Sequence, residues 1–235
     1  MENQDRQEEI LYYLKTRGFA TVSEIAAVIF TSEATVRRDL KQMENKGYVA
    51  RVYGGVTLPE YSAKAVPVYL RDGANAAAKE QIAEKAATLV QDNSIILLDS
   101  STTARRICKH ILHHKNLTVI TNNLRVCKEL KDSDVRVYCT GGYQLPRREC
   151  LVGHFAEEFL RNVRADMLFF SAQGVSTNGD ITDSSEEEIA LRHAMFACAD
   201  QTVFLYDQSK AGKRYSFLLC NTDDATYVIN ENTDL

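Results

Sequence analysis

Thr31-Ser32-Glu33-Ala34-Thr35-Val36-Arg37-Arg38-Asp39-Leu40 reads as the opening of a helix with an unusual outer face. Ser32 is a good N-cap. Val36, Leu40 and Met43 fall at i, i+4 and i+7 and make one apolar stripe. Thr35, Arg37, Arg38 and Lys41 lie off that stripe, towards solvent. A short helix that buries one side and carries adjacent arginines near its N-terminus suits a DNA major groove. In isolation the same residues also describe a solvated, charged face, and the surrounding sequence decides between the two.

On the N-terminal side, Arg6 to about Lys15 places Ile10, Leu11 and Leu14 together, which predicts a first helix stopped at Gly18. Ser23 is the expected cap of a second helix holding Ile25, Ala26, Val28 and Ile29. Phe30-Thr31 is a very short turn, and the Ser32 helix then runs to about Lys46-Gly47. Beyond it, β-prone residues from Tyr48 to Tyr53 and from Val56 to Leu58 flank Gly54-Gly55, the pattern of a hairpin. Three helices and a hairpin within residues 1–58 is the winged helix-turn-helix plan. The expected DNA contacts are Ser32, Thr35, Arg37, Arg38 and Lys41 on the helix, with Arg51, Tyr53, Gly54 and Gly55 of the wing along the sugar-phosphate backbone.

Charge supports this. The 235-residue chain carries a net −4 and is not basic throughout. Yet residues 35–55 hold five basic side chains (Arg37, Arg38, Lys41, Lys46, Arg51) against Asp39 and Glu44, while residues 1–34 hold three basic and six acidic ones. Positive charge is concentrated on the third helix and the turn that follows it. The N-terminus is acidic and polar, unlike a secretion signal, and no apolar run approaches the ~18–20 residues of a membrane span. The six cysteines are scattered without a Cys-x-x-Cys pair, so reduced thiols in a cytoplasmic protein are expected, most of them small core residues.

Residues 59–78 hold Pro59, Pro67, Gly73 and an alanine run, and read as a linker into a second domain, residues 79–235. There strand and helix patterns alternate: strands at 95–98, 117–121, 135–139, 167–170, 202–205 and 225–229, with helices at 102–112, 123–130, 155–163 and 186–198 between them. That order implies an open, mostly parallel α/β sheet, whose ligands sit beyond the carboxyl ends of the strands. Those ends read Asp99-Ser100-Ser101-Thr102-Thr103, Thr121-Asn122, Gly141-Gly142 and Asp207-Gln208-Ser209-Lys210. Hydroxyls, a helix N-terminus, glycines for close backbone approach and a lysine make a site for an anion on a polyol, such as a phosphorylated sugar. Ser/Thr runs after strands are also ordinary helix caps, but here they recur at four corresponding strand ends.

His110, His113 and His114 have a spacing a metal could use, but no fourth ligand is evident, so a surface face is expected and no metal or cofactor is assigned. Glu186-Glu187-Glu188 reads as an acidic first helical turn. Asp180 and Asp183 lie in a Gly/Asn/Thr loop as lid or turn residues.

Both halves resemble the DeoR family of bacterial transcriptional regulators. The family's arginine followed by apolar residues at four-residue spacing is matched by Arg6, Ile10 and Leu14. Its Ser-x-x-Thr-apolar-Arg-Arg-Asp-Leu is matched by Ser32, Thr35, Val36, Arg37, Arg38, Asp39 and Leu40. Its closing Arg-x-His-Gly-Gly is matched by Arg51, Gly54 and Gly55, with Tyr53 in place of the histidine. In the second half, Asp-x-Gly-Thr-Thr is matched by Asp99, Thr102 and Thr103, with Ser101 replacing the glycine; Thr121-Asn122, Gly141-Gly142 and Asp207, Ser209, Lys210 and Gly212 follow in register. Arg192-His193 stands where the family has Lys-Arg. The resemblance implies a fold similar to ribose-5-phosphate isomerase and glucosamine-6-phosphate deaminase. It implies a repressor of carbohydrate metabolism that binds operator DNA as a dimer or larger homo-oligomer under control of a phosphorylated sugar. The alternative the fold allows is a sugar-phosphate isomerase or deaminase. Two further expectations attach to the first half. Asp39 orients an arginine. Phe30 stands where the family commonly has Gly or Asn and is strained if the position needs φ > 0, so either the turn differs slightly or Phe30 packs inward as an added core residue, the second being the preferred reading.

Overall fold

The computed structural model describes residues 3–52, 54–58, 68–145 and 148–234. Tyr53 and residues 59–67, with Pro59 and Pro67, lie outside the described residues. Chain contacts divide it into two units, Met1–Arg71 and Asp72–Leu235.

In the first unit, α1 (Asn3–Arg17) ends at Gly18, whose N–H reaches the Leu14 carbonyl at 2.6 Å. A short strand β1 (Phe19–Ala20) follows, which sequence reading took only as a helix stop. The second helix, α2 (Val22–Val28), is capped by Thr21 rather than Ser23. Thr21 Oγ1 accepts the Glu24 N–H at 3.1 Å while the Glu24 carboxylate accepts the Thr21 N–H at 2.8 Å, a reciprocal box that satisfies two orphan donors where Ser23 would satisfy fewer. Next, α3 (Glu33–Asn45) starts at the Ser32 cap. β2 (Ala50–Val52) and β3 (Gly55–Thr57) form the wing, and β3 also pairs with β1, giving the order β1-β3-β2. That third strand explains the second glycine. A Cβ on Gly55 would lie 2.3 Å from the Ala20 carbonyl oxygen, so its role is close strand packing rather than turn freedom. Ile10, Leu14, Ile25, Val36, Leu40, Met43 and Val56 close one core.

Phe30 does not pack inward. It is 95% exposed and takes φ 50°. Its neighbour Thr31 donates its N–H to the Ala26 carbonyl at 3.0 Å, so α2 ends in a Schellman turn whose left-handed position is Phe30. The turn geometry overrode the apolar character: the backbone demands a left-handed residue, and that orientation sends the ring to solvent.

A short helix α4 (Val68–Gly73) runs through residues 71 and 72, where the units divide, and α5 (Ala76–Ala87) follows in the second unit, so the later part of the stretch expected as linker is helical. The main sheet of the second unit contains β4 (Ile95–Leu98), β5 (Thr118–Thr121), β6 (Arg136–Cys139), β9 (Ala165–Phe170), β12 (Ala199–Leu205) and β14 (Tyr227–Ile229). Their order is β14-β12-β9-β4-β5-β6, and every neighbour is parallel. The intervening helices are α6 (Thr102–Arg105, continued as a 3-10 turn to His110), α7 (Leu124–Leu130), α8 (His154–Arg161) and α9 (Glu186–Ala197). Strand alternation splits the apolar run: Ile96 and Leu98 join the core with Ile82, Ile107 and Val126, and Leu97 joins Leu160, Phe170, Leu191 and Phe204 on the other face. Two small antiparallel sheets complete the unit: β7 (Tyr143–Gln144) with β8 (Leu151–Val152), and β10 (Gly174–Val175), β11 (Asp180–Asp183) and β13 (Phe217–Asn221). Sequence reading missed both because their strands are short and lack a sustained period. Successive crossovers run outward from β4 in one direction and return to β9 on its other side, so the topological switch lies between β4 and β9.

Replacing Phe30 with glycine relieves a left-handed residue (about 1–2 kcal/mol) at the cost of greater unfolded-state freedom (about 0.4–1 kcal/mol). Phe30→Gly is therefore expected to raise stability by about 0.5–1 kcal/mol in urea unfolding followed by circular dichroism; a loss of stability would show that the ring contributes packing after all.

Candidate nucleic-acid interface and effector site

The buried side of α3 is fixed by an ion pair as well as by packing. Asp39 is fully buried and accepts two hydrogen bonds from Arg6 of α1, Nε at 2.5 Å and Nη2 at 3.0 Å. The arginine that Asp39 holds is thus on α1 rather than on the recognition helix. Its negative charge is withdrawn into the core, leaving the outer face of α3 more positive than the sequence count suggests. Arg37, Arg38 and Lys41 are all exposed. Arg37 pairs with Glu33 one turn back at 2.8 Å, whereas Arg38 and Lys41 have no ion-pair partner among the described residues. Ser32 Oγ caps the Thr35 N–H at 3.3 Å and lies 2.9 Å from Thr35 Oγ1, so these two hydroxyls fix the start of the helix. From the wing, Arg51 leans on α3, 3.4 Å from Glu44 and 3.4 Å from the Arg37 carbonyl. Gly54 takes φ 81° at the turn of the hairpin.

In the second unit the four expected loops lie at the carboxyl ends of β4, β5, β6 and β12, one edge of one parallel sheet. Their side chains divide into two groups. Some are consumed by the fold. Ser101 caps α6 through Ala104 N–H at 3.0 Å. Thr121 Oγ1 donates to the Leu98 carbonyl at 2.6 Å and accepts Asn123 N–H at 3.0 Å. Gly142, at φ 103°, is required because a Cβ there would meet the Val152 carbonyl oxygen at 2.3 Å; Gly141, at φ 73°, has open space around it. Thr102 is buried in the first turn of α6. In these loops Thr103 Oγ1 and Asn122 Oδ1, by contrast, are buried and have no hydrogen-bond partner among the described residues. Asn122 uses its amide nitrogen on the Leu151 carbonyl at 2.9 Å.

At the topological switch stands a constellation that the sequence reading did not assemble. Asp99 ends β4, and its carboxylate accepts Ser101 N–H at 2.9 Å, Ser171 N–H at 3.1 Å and Arg192 Nε at 3.0 Å. Arg192 also donates to Asp183 at 2.9 Å. Ser100 donates to Glu188 Oε1 at 2.7 Å, and Glu188 pairs with Arg148. All of these ionised groups are more than nine-tenths buried. Burial works against the Arg192 charge, but Asp183 and Asp99 outweigh it and hold its pKa above the usual arginine value. Lys210, half-buried, donates to Ser171 Oγ at 2.6 Å. Burial pushes its ammonium below the usual lysine range against the pull of Asp207 and Asp99. Asp207 accepts from Asn75 at 2.8 Å and from Ser209 N–H at 3.2 Å. Burial alone would raise this carboxyl, but Lys210 and these donors bring it below the ordinary value. Next to them Lys79 is buried, and burial together with the Lys210 charge pushes it down to about 8.

Glu188 lies in the acidic first turn of α9, as expected, but it is buried there and joins the site. Two expectations are corrected: Asp183 is neither lid nor turn residue but the buried partner of Arg192, and half rather than most of the cysteines are buried, with Cys139 exposed. The only sequence signal for this network is the placement of Glu188 and Arg192 at i and i+4 on α9. The histidines part company: His110 meets Glu80 at 2.7 Å and His114 meets Asp92 at 3.1 Å. Asp72 of α4 receives Arg105 (2.6 and 2.7 Å), Arg106 (3.3 Å) and Arg125 (3.2 Å). The three arginines outweigh its burial and lower its pKa.

Residues 6–61 match the family model of the DeoR-like helix-turn-helix domain, and residues 74–232 match that of the DeoR C terminal sensor domain. The chain is 31% identical to the HTH-type transcriptional regulator GolR of Listeria innocua serovar 6a, over 97% of this chain and 90% of that one. It is also 31% identical to the lactose phosphotransferase system repressor of Staphylococcus epidermidis, over 100% and 94%. Ribose 5-phosphate isomerase A of Methanocaldococcus jannaschii superposes with a TM-score of 0.44 at 16% identity, over 59% of this chain and 55% of that one. No described helix is long and apolar enough to cross a membrane.

Removing the charge between two buried carboxylates leaves both uncompensated. Arg192→Met is expected to cost about 3–5 kcal/mol in urea unfolding, with Arg192→Lys in between; wild-type stability for the methionine variant would show that the network does not hold the switch point together.

Proposed function

Since the chain belongs to the DeoR family of DNA-binding transcriptional regulators, we propose that it is a repressor of carbohydrate-metabolism genes released from its operator by a phosphorylated sugar. The observation that carries the effector reading is the single sheet edge on which four polar loops converge. There Thr103 Oγ1 and Asn122 Oδ1 are buried without a hydrogen-bond partner among the described residues, and Gly141 after β6 has open space around it. The Staphylococcus relative is named for the lactose phosphotransferase system, which supports a sugar-derived ligand. In this reading Asp99, Ser100, Ser101, Thr102, Thr103, Thr121, Asn122, Gly141, Gly142, Asp207 and Lys210 border the ligand, and Lys210 and the α6 N-terminus face its phosphate. The protein works in the cytoplasm as a homo-oligomer, with two winged units on repeated half-sites. A ligand shifts that equilibrium only by its differential affinity for the two states.

We assign no catalytic turnover. An isomerase needs a positioned, available base, and Asp99, Asp183 and Glu188 are each committed to Arg192 or Arg148. An assay of the full chain with sugar phosphates tests this, and clear isomerase or deaminase turnover would overturn it.

On the DNA side, losing a base-reading arginine at position 37 or 38 costs roughly 1–3 kcal/mol and relaxes specificity at one base pair. Arg51→Ala weakens all sequences alike and flattens the salt dependence. Operator mobility shifts measure both effects; intact affinity in Arg37→Ala and Arg38→Ala would rule out docking through α3. On the effector side, a thermal-shift screen of sugar phosphates is expected to yield a stabilising ligand. Lys210→Ala should abolish its effect on operator binding while sparing DNA affinity, and an unchanged ligand titration would remove Lys210 from the site.

A further inference from the structure

The two edges of the parallel sheet are finished differently. β14, at one edge, has no exposed residue, and Lys85 ties down the segment that follows it by donating to the Glu231 and Thr233 carbonyls at 2.7 Å. β6, at the other edge, exposes Arg136, Tyr138 and Cys139. An open edge strand is normally blunted by lysine, proline or a bulge. β6 has no lysine or proline and keeps an unbroken register with β5. Arg136 and Thr140 donate their N–H groups inward, each at 3.0 Å, to the Leu117 and Thr121 carbonyls. Backbone alternation therefore turns the N–H and C=O groups of Val137 and Cys139 outward. Among the described residues of the sensor unit the exposed phenylalanine and tyrosine side chains are Tyr138, Tyr143, Phe155 and Tyr215, and the first three lie beside this edge. They are contiguous. Tyr138 meets Phe159 with ring centroids 6.5 Å apart, and Phe155 is one turn before Phe159 on α8. A Cβ on Gly153, the N-cap of α8, would lie 2.7 Å from the Tyr143 ring.

We infer that the β6 edge and the aromatic face beside it receive a second copy of this chain, strand against strand about a two-fold axis at Tyr138. This surface is the interface of the homo-oligomer proposed above, and it rests on that reading. The hydrogen-bonding pattern selects the occupant. With Val137 and Cys139 turned outward, antiparallel pairing of two identical edges sets Val137 of each copy opposite Cys139 of the other, and each such pair exchanges both main-chain hydrogen bonds. Tyr138 then falls opposite Tyr138 of the second copy, in a non-hydrogen-bonded pair with Cα atoms ~4.5 Å apart. Val137 packs into the core on the other face of the strand, so both Tyr138 rings lie on the α8 side, next to Phe159. Aromatic cross-strand pairs of this kind are favourable. Arg136 falls opposite Thr140 of the second copy, so no like charges meet. The register is therefore self-complementary, as an isologous interface requires. Tyr138, Tyr143 and Phe155 are 46%, 53% and 79% exposed, which offers about 350 Å² of aromatic surface per copy at ~200 Å² a ring. That is a large part of the ~800 Å² per partner of a standard interface, before the strand edge itself is counted.

Sedimentation velocity of the full chain tests this. The wild type is expected to sediment as a dimer or larger. Tyr138→Lys and Tyr138→Glu each set like charges face to face across the axis, and each should halve the assembled mass. Mixing these two variants in equal amounts should restore the wild-type mass, because opposite charges then meet. Cys139→Pro removes an outward N–H, leaves the β5 ladder intact and should also halve the mass. Phe155→Ser changes an exposed helix position, should keep the fold and should weaken self-association roughly tenfold. It decides the matter if circular dichroism shows that the strand variants do not fold. Wild-type self-association in the folded variants, or a Lys/Glu mixture that stays apart, would overturn the β6 interface and leave the homo-oligomer reading standing. A wild-type chain that is monomeric at every concentration measured would overturn both.

Discussion

The sensor unit turns on one guanidinium. Arg192 lies between Asp99, at the end of β4, and Asp183, at the end of β11, and so joins the parallel sheet to the small antiparallel one at the point where strand order reverses. Asp99 in turn holds the N–H groups of Ser101 and Ser171, in the loops that follow the two strands that flank the switch. A buried ion pair of this kind gains little net stability over apolar side chains of similar volume, but it cannot lose one partner cheaply. It therefore acts as a geometric constraint: with Arg192 in place, the loops after β4 and β9 have one arrangement, and α6 begins where Ser101 caps it.

The winged unit uses the same device on a smaller scale. Arg6 and Asp39 join α1 to α3 across its core. Asp39 sits directly after Arg37-Arg38 in sequence and yet points the opposite way, because consecutive helical positions are about 100° apart. Its burial sets the rotation of α3, and that rotation presents Arg38 and Lys41 outward. The adjacent charges of the Arg-Arg-Asp triplet therefore do different work: one locates the helix, and the others are available to a ligand.

Much of this was legible in the residues. The 3.6-residue stripe of Val36, Leu40 and Met43, the short apolar runs at 95–98 and 167–170, and the polar residues after each strand all act locally, and local rules read them. The helix-turn-helix plan and the parallel sheet follow from them. What was not legible depends on distance in sequence. Arg192 is 93 residues from Asp99, and Arg148 is 40 from Glu188, so no periodicity connects them. Glu188 was disguised by its neighbours Glu186 and Glu187, with which it shares the acidic first turn that Ser185 caps. The error at Phe30 was of another kind. An apolar side chain was taken as evidence of burial, although a backbone position that needs a left-handed residue decides where the side chain goes regardless of its chemistry.

The charge balance of the sensor site constrains how an anion could be received. The buried acids Asp99, Asp183, Glu188 and Asp207 face the cations Arg148, Arg192, Lys79 and Lys210, so the site compensates itself before any ligand arrives. A phosphate that merely joined this set would add uncompensated charge in a poorly solvated space, which is costly. Binding must then engage donors the network leaves over, or take a cation from its present partner. The α6 N-terminus offers the first, and Lys210, whose ammonium donates to the neutral Ser171 hydroxyl, offers the second. Lys210 is also the member whose release would be felt furthest. It shares the fields of Asp207 and Lys79, and Lys79 in turn those of Asp72 and Arg106. Asp72 is clasped by three arginines of α6, α7 and the turn between α6 and β5. It is also the first residue of the sensor unit. A charge placed at the sheet edge therefore reaches the start of the unit through a chain of buried and part-buried ionic groups.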